Sequence, residues 1–203
     1  VSGDGITGVG STNVIGYKNT FAGVSLSAGY TKGNGATATS ESGASGEGTR
    51  GSTTDIYLSM SPIDGFTIGA GSATNSNPNS ETTGTADTKE WVGQVQYSSG
   101  PVSIGYRRAD SDSGVAATAG TEMESYSIAF NVNENFAVSY GRQDTTKKAI
   151  GATAAVKEEV DGISAAYTVG AASIRFNHSE SDNDGKIAGV KDETTEIGVV
   201  LSF

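Results

Sequence analysis

The sequence has no cysteine, one histidine, three prolines and two methionines among its 203 residues. Without cysteine, disulfides and thiol chemistry are excluded. With one histidine, a zinc site built from several Cys or His ligands is excluded as well. Hydrophobic residues make up only 35% of the chain, below the roughly 45–50% usual for soluble domains on a slightly wider count that includes glycine. No apolar run approaches the roughly 18 residues of a transmembrane helix, and no positively charged, apolar leader opens the chain at Val1. Thirteen bases face 23 acids, a net charge of −10, which argues against a nucleic-acid partner.

Glycine, in contrast, is abundant: 29 residues, about twice the ordinary share of roughly 7%. Disorder would explain low hydrophobicity, but 8 Tyr, 6 Phe and regular alternation oppose it. Apolar and polar residues alternate with the two-residue period of strands, at about 12–18, 23–32, 53–61, 66–74, 88–98, 101–110, 122–131, 136–145, 157–168, 172–181 and 191–203. Ile197, Val199, Leu201 and Phe203 share one face of the last of these. Val102, Ile104 and Tyr106 oppose Ser103, Gly105 and Arg107 in the same way. Nothing recurs at the helical period of 3.6.

The connections alternate in length. Short turns fall near Asn19–Ala22, Pro62–Gly65, Ser99–Gly100, Val132–Asn135 and Val169–Ala171. Loops rich in Gly, Ser, Thr, Asn and Asp fill about 33–52, 75–87, 111–121, 146–156 and 182–190. Short turns on one side and long loops on the other are the pattern of an antiparallel transmembrane β-barrel, whose lipid-facing residues are apolar while its interior is polar. A soluble sandwich mixes loop lengths. Phe21, Phe66, Tyr97, Phe130, Phe136, Tyr167 and Phe203 all lie beside short turns or at the C-terminus, where an interfacial aromatic girdle belongs. No domain boundary is visible within 1–203.

The segment Tyr17-Lys18-Asn19-Thr20-Phe21-Ala22-Gly23, followed by alternating Val24, Leu26, Ala28 and Tyr30, resembles the general diffusion porins of Gram-negative bacteria. The terminal Ile197-Gly198-Val199-Val200-Leu201-Ser202-Phe203 resembles their closing strand and the C-terminal Phe read as an assembly signal. The resemblance implies that Val1–Ser11, with Asp4 its one charge, is the end of a constriction loop, and that 12–203 are barrel strands and loops. It also implies a homotrimer in the bacterial cell outer membrane, in contact with lipid and lipopolysaccharide. Strand parity requires at least one strand before Val1, because a complete single-chain barrel has an even strand number; the resemblance implies five, giving sixteen. The alternative is a spurious first strand and a ten-stranded barrel.

A search for chemistry returns little. His178 would be the base of a Ser–His–Asp site, yet it shares parity with Ile174 and Phe176 and reads as an outward, interfacial aromatic. Gly33-Asn34-Gly35-Ala36-Thr37-Ala38 fits a phosphate-loop pattern but lacks the following helix. Asp182-Asn183-Asp184-Gly185 resembles part of a calcium loop, but Glu180 and Lys191 stand where an EF-hand has Asp and Glu, and the segment reads as a solvated acidic loop. No catalytic residue, metal site or cofactor is expected. Parity instead directs Asp55, Tyr57, Glu90, Gln94, Gln96, Arg107, Arg175, Asn177 and Glu196 into a lumen, where charges on opposing walls set ionic preference without a covalent step. The sequence therefore reads as a passive channel for ions and small hydrophilic solutes. A plugged barrel acting structurally or adhesively through its loops is the alternative.

Overall fold

The two-residue periodicity is expressed as one antiparallel meander. A computed structural model describes residues 14–33, 51–76, 86–113, 119–150 and 153–201. Among them run eleven strands: β1 (Val14–Phe21), β2 (Val24–Thr31), β3 (Thr53–Ile63), β4 (Phe66–Asn75), β5 (Thr88–Ser99), β6 (Val102–Asp112), β7 (Thr121–Asn131), β8 (Phe136–Lys147), β9 (Val156–Val169), β10 (Ala172–Asp182) and β11 (Lys191–Leu201). Each pairs with its neighbours in sequence, so one sheet runs from β1 to β11 with those two strands as its edges. Asp4 and the rest of Val1–Ser11, Phe203, and the glycine-rich loop beyond Gly33 lie outside the described residues.

The first expected strand is displaced. β1 runs on to Phe21, which pairs with Val24, so the turn is Ala22-Gly23 and not Asn19–Ala22. Both turn residues have positive φ, 49° and 80°, the geometry whose twist matches that of a hairpin. Alanine is an unfavourable residue there, and its presence conceals the turn from a sequence reading. With β1 paired to β2 along its whole length, the ten-stranded alternative falls. Between β3 and β4 the register slips from Met60 to Ile63; Pro62, which has no N–H to donate, sits in that bulge.

Stagger between strands reveals the curvature. Val24, the first residue of β2, begins a row of directly paired residues through Met60, Ile68, Val95, Tyr106, Tyr126, Arg142 and Asp161 to Glu180. Glu180 lies eight residues beyond Ala172, the first residue of β10. With the short turns as one level, the row climbs about one residue per strand. At roughly 3.4 Å per residue and 4.8 Å between strands, that is a tilt of about 35°, within the range of closed barrels.

Candidate pore lining and outer wall

The two faces of the sheet differ in kind. The buried strand residues, among them Glu90, Val92, Ala109, Met123, Thr145 and Glu158, all lie on one face. Nearly every large exposed hydrophobic strand residue, from Tyr17 and Leu58 to Ile163 and Val199, lies on the other, with Val200 the exception. A sheet curling toward one face crowds the side chains there and spreads those outside. An apolar surface this continuous requires lipid or another protein against it.

Asp55, Tyr57, Glu90, Gln94, Gln96, Arg107, Arg175, Asn177 and Glu196 all lie on the inner face. Direct pairing puts Gln94, Arg107, Ser125 and Gln143 in one row, and Asn177 beside Glu196. Gln94, Gln96, Arg107 and Asn177 line a concavity of about 670 Å³, together with Ser125, Ser127, Gln143 and Ser179. The Nε of Arg107 is buried and has no hydrogen-bond partner among the described residues. Tyr57 does not stand free in this space. Its ring lies against the wall over two glycines, where a Cβ added at Gly69 would come 2.0 Å from the Tyr57 hydroxyl.

Sequence parity left a further inward row unread. Tyr57 continues through Gly71, Val92, Ala109, Met123 and Thr145 to Glu158, and the inner face therefore carries an apolar patch of Val92, Ala109 and Met123. Counting back from the outward Tyr167 and Ile163 would have pointed Glu158 inward. At the end of this row the β10–β11 connection, expected as a solvated acidic loop, folds onto the sheet. Gly185 N–H donates to Glu158 Oε1 at 2.6 Å, and Lys186 Nζ lies 3.5 Å from Glu158 Oε2. Asn183, at φ 57°, donates from Nδ2 to the Lys157 carbonyl at 2.8 Å and accepts Gly189 N–H at 2.8 Å. Asp182 pairs with Lys191 at 2.6 Å, and Asp184 is tied by its backbone, its N–H donating to the Val190 carbonyl and its carbonyl accepting from Ile187 N–H.

The outer wall is tiered. Phe21, Phe66, Tyr97, Phe130, Phe136 and Tyr167 lie on the outer face beside the short turns, with the Phe136 and Tyr167 rings 6.5 Å apart. Above them on β6–β8 stand Tyr106, Tyr126 and Tyr140. Tyr106 donates to Glu124 at 2.5 Å and Tyr140 donates to Asp161. These rings pair an apolar body with a hydrogen-bonding tip. Higher still the outer face becomes ionic. Arg142 contacts Asp144 at 3.0 Å and Asp161 at 3.4 Å and also pairs with Glu159, which Lys157 joins. His178 is on this face too, with Nδ1 2.8 Å from Thr195 Oγ1.

A curved antiparallel sheet with an apolar outer surface and a polar inner one defines an outer-membrane β-barrel. More particularly, the family model described as Gram-negative porin matches residues 1–200, and the chain belongs to that family and to the bacterial outer membrane. No curated protein matches it. Its fold is similar to that of OmpT folded in vitro, an outer membrane protein of Vibrio cholerae, at 14% identity and a TM-score of 0.64, over 93% of this chain and 63% of that one. It is also similar to Salmonella typhi OmpF in complex with daunomycin, at 11% identity and a TM-score of 0.69, over 93% and 61% of the two chains. OmpT of Vibrio cholerae expressed in the outer membrane aligns at 16% identity and a TM-score of 0.61, over 93% and 64%. The chain thus spans about three fifths of the length of these solved structures.

Proposed function

We propose that this chain forms an arc of the wall of a water-filled barrel through which ions and small hydrophilic solutes diffuse passively. The observation that carries this reading is the reversal of polarity across a single sheet. One face presents Gln94, Gln96, Arg107, Ser125 and Asn177 to a concavity, while the other presents a continuous apolar surface over the part of the strands nearer the short turns. A barrel whose interior existed only to be packed would bury side chains all along that face; here the buried strand residues lie toward the long-loop ends of the strands, and Gln94, Gln96, Arg175 and Asn177, nearer the short turns, are exposed. Among the described residues β1 and β11 are the edges of the sheet, which suits an arc of a larger barrel that we read as sixteen-stranded and homotrimeric.

No covalent step is part of this function. The inner face of the strands carries four bases (Lys18, Arg107, Lys147, Arg175) and five acids (Asp55, Glu90, Glu158, Asp192, Glu196). This near balance supports a wide, weakly selective lumen in which local order matters more than total charge. The cation preference that a net charge of −10 suggests would have to come from outside the lumen. Planar-bilayer recording of the full protein tests the proposal: stable conductance proportional to bulk electrolyte is expected, and a silent, folded barrel would support the structural or adhesive reading instead.

A further inference from the structure

The outer face carries a feature that a passive pore does not use. On β10, His178 and Glu180 are two residues apart and so project from the same face. The register sets Thr195 directly opposite His178 and Glu193 directly opposite Glu180 on β11. The ligand atoms of His178, Glu180 and Glu193 all lie within 4.8 Å of one another. His178 Nε2 is 3.3 Å from Glu180 Oε1, the separation of roughly 3.3 Å that two ligands have on a tetrahedral zinc with bonds of about 2.0–2.1 Å. His178 Nδ1 is 2.8 Å from Thr195 Oγ1. With Nδ1–H donating to that hydroxyl, Nε2 keeps its lone pair and is aimed at the two carboxylates, the usual way a second ring nitrogen orients a metal-binding histidine.

The arrangement gathers negative charge, with Lys191 and, when protonated, His178 as the bases that face Glu180. Glu180 faces Asp161 on one side and Glu193 on the other, and like charges directly opposite destabilise a sheet. Tyr140 and Arg142 both engage Asp161, whereas Lys191 goes to Asp182. The outward positions of the strands hold ten acids against five bases, so the local potential draws cations to this level. We propose that His178, Glu180 and Glu193 form a binding site for one divalent cation of the zinc class, on the outer wall near the long-loop end of β10 and β11. One imidazole nitrogen with two carboxylates suits zinc, nickel or cobalt; calcium and magnesium, which take all-oxygen shells, are disfavoured. The remaining positions are open to water. This inference does not depend on the pore being open.

The test is a zinc titration of the full protein, without an affinity tag, folded in detergent micelles. One site per chain is expected. His178→Gln and Glu193→Gln should each weaken binding by at least about tenfold, and Thr195→Val, which leaves every ligand in place, by a smaller factor. Because His178 is the only histidine in this sequence, zinc should also slow its modification by diethylpyrocarbonate in the unmutated protein, a readout independent of whether any variant folds. Calcium in equal concentration should neither protect nor compete. Absence of binding at millimolar zinc, unchanged affinity in the His178→Gln variant, or equal protection by calcium would each overturn the proposal.

Discussion

Arg107 and Arg108 are adjacent in β6 yet belong to different environments. Arg107 is paired between Gln94 and Ser125 on the inner face, and Arg108 between Gly93 and Glu124 on the outer one. At a rise of about 2.5 Å per residue along a tilted strand, five residues from Val102 put Arg107 about 13 Å above the short turns, near mid-height. Arg107→Glu should therefore shift the reversal potential toward cations in a salt gradient and leave folding nearly unchanged. Arg108→Glu should leave selectivity alone but set Glu against Glu124, at a cost of up to about 1 kcal/mol in urea unfolding from lipid. Equal selectivity shifts from both substitutions would contradict the register.

The ring of Tyr57 is kept against the wall by the absence of a side chain at Gly69. In Gly69→Ala the new Cβ meets the far end of a flexible side chain, so the ring should swing into the lumen with little loss of stability. Single-channel conductance should fall, and Tyr57→Ala in the same protein should restore it. A conductance unaffected by Gly69→Ala would mean that this level does not limit flow.

Glu158 pins the β10–β11 connection, and its loss leaves the Gly185 N–H without its acceptor, a cost of about 1–3 kcal/mol. Glu158→Ala should release the segment. Trypsin cleavage after Lys186 should become faster, and open-channel noise should rise. Glu158→Gln, which keeps an acceptor but loses the Lys186 ion pair, should have a smaller effect on both. Cleavage at the unmutated rate in Glu158→Ala would show that Asn183 alone holds the loop.

Ala22 occupies a left-handed conformation at φ 49° that favours Gly, Asn or Asp. Ala22→Asn should stabilise the β1–β2 hairpin by about 1 kcal/mol, seen as a later urea midpoint without altered conductance. A destabilised Ala22→Asn protein would contradict the turn geometry.

Much of this architecture was legible because a strand has the simplest of periods. Once Val102, Ile104 and Tyr106 are outward, Arg107 is inward with no further information. The same parity sorts His178 from Asn177 and Glu196 from Ile197. The Ala22-Gly23 turn was misplaced because its first residue carries no turn signature. Parity fails wherever several strands must act together. Val92, Ala109 and Met123 are single inward residues on three strands, and none of them announces a patch. Glu158 meets Gly185 and Lys186 only because the chain between β10 and β11 folds back. Thr195 and Glu193 reach His178 and Glu180 only through the pairing of β10 with β11.

What the sequence by itself determined is which face each residue takes, because alternation along a strand is local and follows from backbone geometry alone. Which residues meet across the sheet was decided by tertiary structure. A stagger of about one residue per strand, set jointly by the short turns, the bulge beside Pro62 and the tilt that barrel curvature demands, puts Val24 at the short-turn end of β2 in one paired row with Glu180, eight residues up β10. No single strand contains that information, since register is a relation between strands.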